Sequence, residues 1–145
     1  MSTVREVEHS YVGPAFEDAK VRDAMRVGVI TCRPETIASD VARMMVGYDV
    51  HSVVVADVDP ERGLWGIVTS LDLARVAGDL ASVTARELAT TNLATIRAHE
   101  PLRQAAEVMS ERGITHLIVL QSDSDDPVGV ISARGLAGAL AYGRS

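Results

Sequence analysis

The chain has 145 residues and a mass of 15.5 kDa, enough for one sizeable core or two small units sharing one, and 47% of its residues are hydrophobic. Only Tyr11, Phe16, Tyr48, Trp65 and Tyr142 are aromatic, so the core is expected to consist of Val, Ile, Leu, Ala and Met. A net charge of -6 leaves no basic stripe for nucleic acid, and a single cysteine, Cys32, excludes an internal disulfide and a cysteine-based zinc site and suits a reducing compartment.

Residues 1–20 read as an N-terminal arm. It opens MSTVREVEHS, with acids where a secretory signal carries basic residues and then an apolar run. No apolar stretch approaches the roughly 18 residues of a membrane helix. The expectation is a soluble cytoplasmic protein with no membrane partner. Tyr11, Val12, Pro14 and Phe16 form an apolar cluster expected to pack on the domain or on a partner subunit.

From residue 21 the chain states one pattern twice. VRDAM at 21–25 precedes a strand candidate, VITC at 29–32. Ile37, Val41, Met44, Met45 and Tyr48 then recur at helical spacing and predict an amphipathic helix. Two β-branched strands, SVVVAD and LWGIVT, flank the turn DPERG, and a short helix is predicted over 70–78. The second copy runs ARELA at 85–89, ATI at 94–96, then a helix carrying Leu102, Ala105, Ala106 and Met109, with Pro101 as its first residue. HLIVLQ and VGVIS follow around the acidic turn SDSDDP, and a last helix is predicted over 133–142. The copies are β-α-β-β-α units, 21–80 and 81–145. A unit of about 60 residues is marginal alone. The fold class is therefore α/β in the mixed α+β sense, two units packed as one compact module around a pseudo-two-fold axis, with two similar clefts between them.

The candidate chemistry lies where each copy turns from its last strand into its last helix, GIVTSLD at 66–72 and GVISARG at 129–135. Thr69 and Ser70 are placed at a helix start, where unpaired N–H groups converge. Gly66 leaves room for a ligand ring or another backbone. Asp72 has two acceptor oxygens, the number needed for the two hydroxyls of a ribose. The same residues also suit a plain helix cap, with Ser70 capping and Asp72 complementing the dipole. Both readings stand on the residues alone. In the second copy Ser132 keeps the hydroxyl, Gly135 replaces the acid, and Arg134 and His116 are candidates for contact with an anion; Arg97 and Arg112 are weaker ones. The histidines at 9, 51, 99 and 116 show no i, i+3 or i+4 pair, so no metal site is expected. No nucleophile elbow, P-loop or catalytic histidine arrangement appears, so no catalytic residue is assigned and no enzyme is expected.

The span from about 21 to 143 resembles a tandem pair of cystathionine β-synthase (CBS) domains, a Bateman module. The resemblance rests on VRDAM, on ASDVARMM matched by LRQAAEVM, on DVHSVVV matched by GITHLIV, and on GIVTSLD matched by GVISARG. It implies a regulatory protein binding an adenosine-containing ligand between the units: AMP, ADP or ATP first, with S-adenosylmethionine or NAD as alternatives and no required cofactor. Gly66, Ile67, Thr69 and Asp72 match the family's site pattern, with Ser70 beside them. Asp72 would hold the ribose, the hydroxyl residue would contact ribose or phosphate, and Asn92, Leu93 and Ala94 with Ile67 would wall the adenine. The resemblance further implies a homodimer through the closing helices and signalling to a separate effector protein. The alternative is a ligand-independent dimerisation or interaction module. Gly135 leads to the expectation of one competent site and one degenerate one.

Overall fold

The computed structural model describes residues 11–56, 64–91 and 93–144. In chain order the elements are α1 (Val21–Ala24), β1 (Arg26–Val27), β2 (Thr31–Cys32), α2 (Ala38–Tyr48), β3 (Ser52–Ala56), β4 (Leu64–Thr69) and α3 (Ser70–Arg75). These are followed by α4 (Ala85–Leu88), β5 (Thr95–Arg97), α5 (Leu102–Arg112), β6 (His116–Leu120), β7 (Pro127–Ser132) and α6 (Ala133–Tyr142). The fold is mixed α+β with two copies of β-α-β-β-α, as expected. The turn DPERG lies outside the described residues.

The described residues form two compact units, one within Val29–Leu93 and the other of residues 11–28 together with 94–144. In the Val29–Leu93 unit the sheet order is β2-β3-β4, with β2 parallel to β3 and β3 antiparallel to β4. A parallel neighbour requires a crossover, and α2 supplies it. Ala38, Val41 and Met45 of α2 are buried, and Val41 and Met45 pack with Cys32, Val53, Val55, Val68 and Ala85. Each fully buried Val or Met contributes about 1.5–3 kcal/mol relative to exposure. Tyr48, expected on this stripe, is 59% exposed because it closes the helix beyond the core. Burial raises the Cys32 thiol above its ordinary pKa, opposed by a weaker hydrogen bond from Thr36.

The other unit has sheet order β1-β7-β6-β5, with β5 parallel to β6 and the remaining pairs antiparallel. Leu102, Ala105 and Met109 of α5 and Leu136 and Ala139 of α6 share one core with Ile96, Leu117, Val119 and Ile131. Pro101 is the cap before α5 rather than its first residue, since its ψ of 140 is extended and the helix starts at Leu102. The described part of the N-terminal arm packs on this unit. Tyr11 and Ala19 are buried in its core, the Tyr11 hydroxyl donates to the Pro14 carbonyl at 2.6 Å, and Ala15 N–H donates to the Arg144 carbonyl at 2.8 Å.

Compact units and sequence copies cut the chain differently. The opening segment of the first copy, α1 and β1, belongs with β7 of the second, through Arg26 opposite Val130 and Val27 opposite Gly129. Reciprocally, α4 of the second copy joins the core of the first, and Thr90 pairs with Ile67 of β4 through two N–H to carbonyl bonds of 3.0 Å. The short opening segments complete an edge that the neighbouring copy in sequence leaves unpaired.

Candidate functional site

At the end of β4, Thr69 has an extended backbone and caps α3. Its hydroxyl oxygen accepts from Asp72 N–H at 3.4 Å, while Asp72 Oδ2 accepts from the Thr69 N–H at 2.8 Å and from its hydroxyl at 3.0 Å. This is a reciprocal capping box, in which two otherwise unpaired donors are satisfied. The cap is Thr69 and not Ser70, because the strand carries the extended conformation one residue before the helix. Ser70 is used differently: its N–H and its hydroxyl both donate to the His51 carbonyl, at 3.0 and 3.2 Å.

Asp72 has only 13% of its side chain exposed, and Arg75 Nη1 stands 3.6 Å from its Oδ1. Arg75 was missed in the sequence, although an acid and a base three residues apart on a helix are a readable signal. A carboxylate has about four acceptor positions, and Thr69 takes up two of them, both on Oδ2. Oδ1 keeps acceptor capacity alongside a long ion pair. Gly66 is buried, and a Cβ there would come within 2.8 Å of the Ala89 Cβ. The close approach anticipated at this glycine is therefore made by the 89–90 segment.

The equivalent corner of the second copy is capped by Ser132, whose Oγ accepts from Gly135 N–H at 3.1 Å. No carboxylate returns the bond. His116 stands opposite Ser132 in the β6–β7 register, and its Nδ1 lies 2.9 Å from the Thr115 hydroxyl. Arg134 is exposed in the first turn of α6. Gly66, Ile67, Thr69, Ser70 and Asp72 thus gather on one corner, and His116, Ser132 and Arg134 on its counterpart in the other unit. Leu93 is half-buried at the end of one unit; Ala94 is buried at the start of the next stretch of the other, where its carbonyl accepts from Ile118 N–H at 3.1 Å. Asn92 lies outside the described residues. Arg97 binds the acidic hairpin turn: its guanidinium donates to the carbonyls of Gln121 and Ser124 at 2.8 and 2.6 Å and to Asp125 at 2.7 Å. It is occupied as a staple of that turn. Among the described residues no three His, Cys, Asp or Glu side chains stand close enough to hold a metal ion, and no helix is long and apolar enough to cross a membrane.

Known proteins share this fold. The CBS domain pair of protein MJ0100, solved in complex with methylthioadenosine and S-adenosyl-L-methionine, superposes with a TM-score of 0.71 at 24% identity, covering 82% of this chain and 93% of that one. The CBS domain of a bacterial CNNM/CorC family Mg2+ transporter in complex with ATP gives 0.71 at 14% identity, covering 89% and 92%. A homoserine O-acetyltransferase of Methanocorpusculum labreanum is 30% identical over 127 residues, 87% of this chain, but the match spans only 25% of that relative's length. The CBS domain family itself matches residues 21–79 and again 85–142. With both copies matched and the fold shared, the chain belongs to the CBS domain family and carries the domain twice.

Proposed function

We propose that this chain is a regulatory protein that binds an adenosine-containing ligand at the Asp72 corner and signals the bound state to a separate effector protein. The observation that carries this reading is the Asp72 carboxylate, mostly buried, fixed in orientation by Thr69 through Oδ2, with acceptor capacity left on Oδ1. A carboxylate oriented in advance loses little freedom when it accepts the hydroxyls of a ribose. Gly66, Ile67, Thr69 and Ser70 would complete the corner and Leu93 would contact the base, while Ser132 belongs to the second, degenerate corner. The ligands in the two CBS structures, S-adenosyl-L-methionine with methylthioadenosine and ATP, share the adenosine part and support that class. AMP, ADP and ATP are the first candidates here, with S-adenosylmethionine and NAD next. The chain acts as a regulator and not as a catalyst in this reading, in a cytoplasmic setting. The ligand would act by binding one of two arrangements more tightly than the other.

Binding of a fluorescent ATP analogue, competed by AMP, ADP, S-adenosylmethionine and NAD, tests this. Saturable binding displaced by at least one of them and lost in Asp72→Ala is expected; binding unchanged in that variant would refute the assignment of the site. A second reading, a dimerisation or interaction module that needs no ligand, is favoured by Leu71 of α3 and Leu140 of α6, which are 61% and 66% exposed. Light scattering of wild type and of Leu71→Lys with Leu140→Lys separates a dimer built on these helices from a monomer.

A further inference from the structure

We propose that Gly135 is a packing residue that limits the chain to one nucleoside site, because the backbone of α1 occupies the space an acid would need in the second copy. This rests on the functional reading above for the class of ligand, but the packing itself does not. A Cβ on Gly135 would lie 2.8 Å from the Ala24 carbonyl oxygen and 3.1 Å from Ile131 Cδ1. The first is backbone, so it cannot rotate aside, and a packed interior has no slack to absorb the overlap.

A second glycine reports the same crowding independently. A Cβ on Gly129 would overlap the Arg26 carbonyl oxygen, and the Gly28 N–H donates to the Val128 carbonyl at 2.8 Å. The opening segment is thus laid on β7 and α6 as a short ladder, Arg26 opposite Val130 and Val27 opposite Gly129. The matching glycine of the first copy is crowded by a methyl rather than by a carbonyl, since a Cβ on Gly66 would meet the Ala89 Cβ at 2.8 Å. There the nearest backbone atom to a Cβ on Gly66 is the Thr90 carbonyl oxygen at 3.5 Å, and a single bridge, Ile67 with Thr90, joins the crossing segment to β4. The third residue of α3 has room for the Asp72 carboxylate; the third residue of α6 has no room for a methyl group. The second corner is therefore closed to an acid by its own packing, and adding one expels α1 without creating a site.

Melting of the ligand-free wild type, G135A, G135D and G47A decides the packing. Gly47 sits in α2 with nothing within 4 Å of a Cβ, so G47A gains helix propensity and is expected to melt about 2–4 °C higher. G135A has the same propensity gain and is nevertheless expected to melt several degrees lower than wild type, with G135D lower still; if G135D does not fold, G135A decides. Titration calorimetry of wild type with ATP and with S-adenosylmethionine is expected to give one ligand per chain. G135A melting at or above wild type, or two ligands per chain, overturns the proposal and leaves the ligand reading intact. No binding heat with either ligand overturns the ligand reading and the one-site limit together, even if G135A is destabilised.

Discussion

Asp49 and Gly113 occupy the same place after the main helix of each copy, with φ of 53 and 63. The left-handed backbone costs a residue with a Cβ, and glycine avoids that cost. Asp49→Gly is expected to stabilise by about 0.5–1 kcal/mol and Gly113→Ala to destabilise by about 1 kcal/mol, read from denaturant midpoints. Nothing lies within 4 Å of a Cβ on Gly113, so the second effect isolates the backbone term. Asp72→Asn, which weakens the capping box, is expected to cost about 1 kcal/mol without any ligand. Cys32 and Tyr11 set an alkaline limit. Burial raises both above their ordinary values of 9.0 and 10.0, and the Asp23 carboxylate adds to the rise at Tyr11. The unfolded chain gives up these protons first, so stability is undiminished below about pH 9 and falls as pH climbs through the ordinary and then the folded pKa. Cys32→Ala is expected to flatten the onset of that fall in a series of melts from pH 8 to 11; an unchanged profile would show that the thiol is not its source.

At the level of elements, the helices and strands were largely legible because their periods differ. The buried runs Val53–Val55 and Leu117–Val119 lie as the apolar pattern implied, as do Val41 and Met45 of α2 and Leu102, Ala105 and Met109 of α5, while Tyr48 at the end of α2 does not. The first strand of the Val29–Leu93 unit shrank to Thr31–Cys32, since only two residues find a parallel partner on β3. What the sequence did not reveal is the exchange of opening segments, because self-similarity shows that α1 corresponds to α4 but not which sheet each completes. The geometry of the candidate corner was legible to a lesser depth. Thr69 and Asp72 were visible as residue types, while the capping box, the Arg75 ion pair and the Ala24 carbonyl against Gly135 depend on geometry. The exchange gives its own prediction. Gly129→Ala drives a Cβ into the Arg26 carbonyl and should cost about 2–3 kcal/mol, whereas Gly66→Ala presses on the Ala89 Cβ at 2.8 Å with its nearest backbone atom at 3.5 Å and should cost less, about 1–2 kcal/mol. Equal losses in thermal melts would mean that the two crossings are equally tight.

For the whole molecule, the Asp72 carboxylate holds the start of α3, and the proposed function gives it a second job, receiving a ribose. The thermal shift of wild type and Asp72→Asn with AMP, ADP, ATP, S-adenosylmethionine and NAD, each variant read against its own ligand-free melt, separates them. Ligand at about 100 times its dissociation constant adds about 2.7 kcal/mol, a rise of several degrees in a chain of this size. The account predicts that rise in wild type with at least one of the five and its loss in Asp72→Asn. An equal rise in both proteins, or none in wild type with any of the five, would contradict it.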